Sequence, residues 1–433
     1  MSAEHLQREG RQIGPLSAVL IAMGAMIGTG IFVVPHDIAE HTHSLGVTLA
    51  LWGAGGLVSL LGALSFAELG AALPENGGLY AYLRRAYGPA VAFAFGWSFF
   101  AILAPASVGF FAQVTATYAL ALVGAPAAWV TPLAIAVVAA LVLVNVRGLR
   151  EALGLQNVTT TIKVAGLALV GLCGLLFGEA APPSEPAASA GAATIAAALV
   201  PVLWAYDGWI NVAYVGGEVR DPQRNLPRAL IAGSIGVTLL YLAANAAYLA
   251  ILGGAGVEAS ATPAADAAAR ALGGGGRTAL SVLVGISTLG GCTVVLLTGS
   301  RVVSSVARDI FPPLAHQTAA GTPGRAIVAV GALSIVYMTS PLGRLGDVFV
   351  IGVWPFYAAG AVATVVLRRR EPDLPRPHRT LAYPLPIAGF CVATVLLLGS
   401  YAIAAPARLG VSFGIIAVSW PMYRWLTARS RAR

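Results

Sequence analysis

Apolar runs of about 20 residues, the length needed to cross about 30 Å of hydrocarbon, fill almost the whole of this chain. Twelve such runs lie near residues 15 to 38, 46 to 72, 88 to 118, 127 to 145, 155 to 178, 193 to 216, 229 to 252, 277 to 305, 325 to 341, 346 to 367, 384 to 403 and 408 to 426. Each reads as a transmembrane helix, so the expected fold class is an all-α membrane protein. Only 10% of the residues are charged, far below the roughly 25% usual in soluble domains. No loop has the length or composition of a soluble domain, and residues 1–433 read as one integral unit. The chain is polar before residue 15, and the first run is longer than a signal-peptide core and lacks a clear cleavage site, so it is taken as a retained span.

The net charge of +8 raises nucleic acid as a partner, and the placement of the arginines argues against it. With the N-terminus inside, 21 arginines fall on the cytoplasmic face and four, Arg270, Arg277, Arg344 and Arg408, on the other. Such a positive-inside bias predicts both termini in the cytoplasm. The charge is thus a topology signal of a protein whose partner is the lipid bilayer, and a plasma membrane is the expected location. Cys173, Cys292 and Cys391 all lie inside expected spans, which predicts buried free thiols and no extracellular disulfide framework. Two loops on the outer face are longer than the rest. Gly178 to Gly191 is proline-rich and irregular by composition, and the Ala-rich stretch from Gly253 to Gly276 has room for a short surface helix.

Two spans carry helix-breaking sequence. Span 1 contains GAMIGTGIFVVP (Gly24 to Pro35), and span 6 contains VPVLWAYDGWINVAYVGGE (Val200 to Glu218). Mid-span glycines weaken a helix, and Asp207 is costly against lipid. The two breaks are five spans apart, which predicts two five-helix halves of opposite orientation with a solute site where the breaks meet. The bland alternative is that Gly24, Gly28 and Gly30 serve close helix packing.

An unwound stretch leaves N–H groups free at the start of the outer half-helix, where the helix dipole also favours an anion. Gly28 and Gly30 let a carboxylate approach the backbone, and the Thr29 hydroxyl offers a further hydrogen bond. Carbonyls ending the preceding half-helix, at Met26 and Ile27, and those from Ala205 to Gly208 suit an ammonium. Together they suit a zwitterion. Lys163 is the only lysine among 26 basic residues and lies about eight residues, or about 12 Å, into span 5. A lysine can exchange its proton and its compact ammonium can stand in for a bound cation, whereas arginine is larger and stays protonated.

Glu68, at the inner end of span 2, reads as a brace between helix ends. Asp207 has three open roles: contact with a ligand amine, bonds to exposed backbone N–H groups, or carriage of a proton. Trp204 and Tyr206 flank the break and either close over a ligand or simply pack. His36, His41 and His43 with Asp37 and Glu40 match no metal-binding spacing and read as a solvated outer loop. No catalytic nucleophile, metal cluster or cofactor motif stands out, so the chain is not expected to be an enzyme.

At these residues the sequence resembles the amino acid, polyamine and organocation transporter superfamily, most closely its L-type amino acid transporter branch with bacterial serine/threonine exchanger-like members. The resemblance rests on GAMIGTGIF (Gly24 to Phe32), GALSFAELG (Gly62 to Gly70) with PENGGLYAY (Pro74 to Tyr82), WAYDGW (Trp204 to Trp209) with the stretch from Gly217 to Pro227, and SRVVSSVARDIFP (Ser300 to Pro312). It implies a LeuT-type core of two inverted five-helix repeats, residues 12–178 and 192–370, with broken helices 1 and 6, plus two further helices over 380–427. It implies carboxylate binding at Thr29, Gly30 and neighbouring backbone, with Gly28 permitting the turn and Trp204 as gating aromatic. It also implies that Lys163 replaces a sodium ion, bridging helix 1 to helix 8 with Ser287 and Thr288 as partners and Tyr206 tying helix 6 to that network.

Two departures bear on this. Eukaryotic L-type carriers often have a small residue where Asp207 stands, which leaves the substrate class open. The loop from Val123 to Ala128 lacks the cysteine that joins animal members to a glycoprotein subunit, so no disulfide-linked heavy subunit is expected. The expected activity is sodium-independent carriage of small neutral L-amino acids by alternating access, as an exchanger or with a proton. The alternatives are a cationic amino acid or polyamine carrier using Asp207, and a membrane sensor that binds an amino acid without moving it.

Overall fold

Hydrocarbon cannot hydrogen-bond a backbone, so a chain of this composition satisfies its own N–H and C=O groups within helices and varies only at their ends and breaks. The computed structural model describes residues 11–42, 45–178, 192–338 and 342–431. Among these the only extended pairing is two isolated β-bridges, Ile13 with Val219 and Asn76 with Val215.

The first span is broken into α1 (Pro15–Met26) and α2 (Gly30–Thr42), followed by α3 (Leu45–Ala72) and the short α4 (Leu79–Tyr87). The third span runs through α5 (Pro89–Ser98), a π-helical stretch (Phe99–Leu103) and α6 (Ala104–Leu122); α7 (Val130–Arg147) and α8 (Leu149–Phe177) complete the first half. Span 6 is α9 (Ala192–Ala205) and the single turn α10 (Asn211–Tyr214), then comes α11 (Pro222–Leu252). Two short helices, α12 (Gly254–Glu258) and α13 (Pro263–Leu272), lead to α14 (Gly274–Ile310), α15 (Gly324–Tyr337), α16 (Leu342–Arg370), α17 (Leu385–Ala404) and α18 (Pro406–Arg431).

Among the described residues, nine helical segments are long and apolar enough to cross a membrane. The other three expected spans fall on α9, α15 and α18, and α15 has only 14 residues. The broken helices sit at the centre: α1 packs on α8, α11 and α14, and α2 on α9, while α17 and α18 lie outside against α3, α5 and α16.

Several sequence expectations change here. Span 5 begins at Leu149, because Arg150, Glu151, Gln156 and Asn157 continue a helix that a hydropathy window trims away. Lys163 therefore stands at its midpoint, about 21 Å from its start, deeper than the sequence reading placed it. The Gly253 to Gly276 loop holds two short helices rather than one. Pro35 removes one hydrogen bond from α2 without ending it, so His36 and Asp37 lie on a helix and not in a solvated loop. His43, the side chains of Glu40, His41 and Arg344, and the loop residues 179–191 lie outside what is described. Cys173 and Cys292 are buried free thiols, and Cys391 is half-buried.

Glu68 is a brace. Its two oxygens accept from Arg368 Nε (2.8 Å) and Nη2 (2.5 Å), and Oε2 also accepts from the Thr380 N–H at 2.8 Å. Arg376 Nε stands 3.4 Å away. This ties α3 to the end of α16 and to the segment leading into α17. Glu68→Ala leaves two arginines without their buried counter-ion, and we expect a loss of about 3 kcal/mol. It will be seen as a lower melting temperature in detergent, with Glu68→Ala/Arg368→Met recovering part of it; an unchanged melting curve would dismiss the brace.

Candidate functional site

The two breaks are built differently. In span 1, α1 ends at Met26 and the Ile27 N–H still donates to the Met23 carbonyl, so the unwound residues are Ile27 to Thr29. In span 6 the turn is made at Gly208, whose φ of +119° is a conformation that side chains rarely adopt. A Cβ there would also sit 2.6 Å from the Ala25 carbonyl group. At Gly30 a Cβ would lie 2.6 Å from that of Ala205, so the missing side chain lets α2 and α9 touch at the breaks. Gly24 packs tightly too, against Gln156 and Thr160 of α8, so the close-packing reading holds for that glycine.

The polar accounting at the breaks decides what remains for a ligand. Lys163 is fully buried, and its Nζ donates to the Gly24 and Ile27 carbonyls, each at 2.9 Å. Ser287 Oγ donates to Ile27 at 3.1 Å and Gly28 at 3.2 Å. Lysine and serine thus meet on one carbonyl of the broken helix instead of bonding each other. Thr288 bonds Thr115 at 2.7 Å and is no direct partner of Lys163. Tyr206 also stands apart, its ring against Trp52 and Tyr241. The tyrosine that links both breaks is Tyr241 of α11, whose hydroxyl lies 2.8 Å from the Met26 carbonyl and 3.1 Å from that of Ala205. The Gly208 carbonyl is taken by Asn211.

Most carbonyls expected to receive an ammonium are therefore already in use. The free atoms are on side chains. Thr29 Oγ1 and Asp207 Oδ1 are both buried without a hydrogen-bond partner, and the Asp207 carboxyl lies close to the Tyr357 hydroxyl and the Gly208 N–H. Thr29 and Asp207 line one cavity of about 70 Å³ between the breaks. Met26, Gly28, Gly30, Ala205 and Gly208 also line it, with Trp204, whose indole stands edge-on to Phe110. Ile27 and Lys163 lie behind this wall. Phe110 and Phe111, Asn211 and Tyr241 are site residues that the sequence reading missed. An aromatic pair in an apolar span carries no local mark, and the Tyr241 contacts join residues far apart in sequence.

Beyond the cavity, where span 6 continues past α10 towards the arginine-rich end, a polar latch ties three segments together. Asn76 Nδ2 donates to Glu218 Oε1 at 3.0 Å, the Gly217 N–H donates to Asn76 Oδ1 at 3.0 Å, and Arg301 Nε donates to Glu218 Oε1 at 3.0 Å. The PENGG loop can press on α10 because Gly78 (φ +45°) has no side chain; its Cβ would lie 2.7 Å from the Ala213 carbonyl group.

Two helices broken against each other, a small cavity between them lined by Thr29 and Asp207 among mostly apolar residues, and a buried lysine holding one broken end define a membrane transporter of the broken-helix class. The chain belongs to the amino acid permease family, whose pattern matches residues 13–423. It is 31% identical over 407 residues to the mouse b(0,+)-type amino acid transporter 1, covering 90% of this chain and 82% of that one. Against the serine/threonine exchanger SteT of Bacillus subtilis it is 29% identical, with 97% of each chain covered. It is 30% identical to the human Asc-type amino acid transporter 1, over 95% of this chain and 82% of that one. Among solved structures, MHP1, a nucleobase-cation-symport-1 family transporter in a closed conformation with bromovinylhydantoin bound, superposes with a TM-score of 0.60 at 15% identity, over 98% of this chain and 94% of the other. The LeuT-type fold follows from that likeness.

A Cβ added at Gly290 would lie 2.8 Å from Lys163 Cε and 2.9 Å from its Nζ. Gly290→Ala is thus expected to displace the ammonium from its carbonyls and slow transport at least about tenfold, the cost of one buried hydrogen bond. Transport into vesicles containing equal amounts of folded protein measures this, and a wild-type rate would mean that the seat of Lys163 is not required.

Proposed function

We propose that this protein exchanges small neutral L-amino acids across the plasma membrane without sodium, by alternating access. What carries the reading is that Thr29 and Asp207, each with a buried oxygen that lacks a hydrogen-bond partner, line a cavity of only about 70 Å³ where the two broken helices meet. The N-terminal end of α2 with Thr29 and Gly30 receives the carboxylate, and Asp207 receives the amine. Small-molecule pockets usually measure about 300–1,000 Å³, so a long basic side chain is a poor fit and a small neutral one a good fit. Similarity to the serine/threonine exchanger and to the Asc-type transporter supports the same choice. Sodium independence is supported by Lys163, whose ammonium already occupies the carbonyls that a sodium ion would need.

In this reading residues 12–178 and 192–370 are the two inverted halves, and 380–427 supply two further helices. Trp204 closes over the ligand, both termini are cytoplasmic, and the latch at Asn76, Glu218 and Arg301 is the inner closure. The chain works without a disulfide-linked heavy subunit.

The test is radiolabelled serine and alanine uptake into proteoliposomes, with and without internal amino acid, across sodium and pH gradients. Uptake that requires internal amino acid and ignores sodium is expected, with arginine, lysine and putrescine competing poorly. Uptake into empty vesicles driven by an inward proton gradient would make the protein a symporter, with Lys163 or Asp207 as proton carrier. Binding with no flux in any arrangement would make it a sensor.

A further inference from the structure

Behind Lys163, on the side away from the solute cavity, lies a second cavity of about 380 Å³ between α8, the end of α11, α13 and α14. Among the described residues no charged side chain lines it; Ile162, Gly166, Leu169, Ala267, Ala268 and Leu283 are representative of its wall. Wall residues are also exposed on the outside of these spans, Leu169 at 55% and Ile162 and Val282 at 39%. The groove is therefore continuous with the surface that meets lipid. Its volume falls within the roughly 300–1,000 Å³ of small-molecule sites.

We propose that this groove holds one acyl chain of an anionic phospholipid, and that the bound chain sets the spacing of α8 and α14 on which the Lys163–Ser287 pair depends. Lipid tails are as apolar as the wall, so transfer from bilayer to groove gains almost no hydrophobic energy, and selection rests on packing and on the headgroup. The packing argument is the concave Ala- and Gly-rich wall, whose lining atoms lose contacts if the space stands empty. For the headgroup the argument is charge. Leu272 and Gly276 line one end of the groove, and the exposed Arg270 and Arg277 adjoin them in sequence. These are two of the four arginines assigned to that face; Asp266 pairs with Arg277, so Arg270 is the cation offered to a phosphodiester at this end.

The link to transport is short. Ile162 and Ile286 in the wall immediately precede Lys163 and Ser287, and both of those side chains hold the Ile27 carbonyl. One turn beyond Lys163, a Cβ at Gly166 would meet both Leu283 methyl groups at 2.5 Å, so the two helices already touch at the edge of the groove. Lipid binding stands apart from the proposed function, whereas its effect on exchange rests on that reading.

The full chain in phosphatidylcholine nanodiscs containing a small fraction of phosphatidylglycerol with a photoreactive acyl chain tests the binding. Mass spectrometry should place the label on residues 162–173 and 279–286 more heavily than on exposed lipid-facing residues of α17 such as Val395 and Leu396. Ala268→Phe, which fills the groove, should remove that excess, and Ala165→Phe provides a second filling variant if the first does not fold. Arg270→Gln with Arg277→Gln should lower labelling by phosphatidylglycerol but not by an equivalent phosphatidylcholine probe. Equal labelling of groove and α17, or labelling untouched in a folded filled variant, would overturn the site. In proteoliposomes the wild-type exchange rate should change about fivefold with phosphatidylglycerol content, an ordinary size for coupling between sites, while the filled variant should not respond. Equal lipid dependence in both, with exchange intact, overturns the link to transport and leaves the proposed function standing.

Discussion

The ammonium of Lys163 held by two carbonyls of a broken helix is the contact around which the rest is arranged. α1 stops in mid-membrane, where its last carbonyls have neither a next turn nor water to satisfy them. A cation inside hydrocarbon has the complementary problem. Putting Nζ on the Gly24 and Ile27 oxygens answers both at once. Much nearby sequence follows from making room for it. Gly290 leaves space for the lysine itself, and Gly24 lets α1 come close to α8 through Gln156 and Thr160.

Once the lysine, Ser287 and Tyr241 have taken their carbonyls, the breaks offer a ligand less backbone than their unwound shape suggests. What is left unpartnered is one oxygen on each of Thr29 and Asp207, two residues that line the same cavity. Tyr241 has a second consequence. Its hydroxyl is shared between Met26 and Ala205, so the end of α1 and the end of α9 cannot separate freely. The two broken helices are held as a pair on α11.

The breaks were legible in the sequence because glycine and aspartate are rare at membrane depth and stand out against an apolar background. The brace at Glu68 and the lone lysine were legible for the same reason. The depth of Lys163 was underestimated because the polar first turns of α8 look like loop to any hydropathy reading, although Gly148 places the helix start just before them. Choosing among tyrosines was beyond the sequence. Tyr206 and Tyr241 are both buried aromatics with a hydroxyl, and only the crossing of α11 behind both breaks decides which one reaches a carbonyl. The π-helical stretch at Phe99–Leu103 carried no warning either, since Phe, Ala, Ile and Leu are unremarkable in a membrane helix.

The latch at the arginine-rich end differs in kind from the packing around the cavity. Asn76 and Arg301 share the same oxygen of Glu218, and the Asn76 amide also holds the Gly217 N–H, so movement of any one strand of this knot loosens the others. Arg301 is 2% exposed, and a buried guanidinium that loses its carboxylate must quickly find water or another acceptor. Breaking one contact of this latch while the others hold is therefore unfavourable. α10 is a single turn fixed on one side by the Asn211 bond to Thr298 and on the other by the PENGG loop. It cannot swing alone. In the proposed reading, opening at this end parts the loop after α3, α10 and the lower part of α14 together, as alternating access demands.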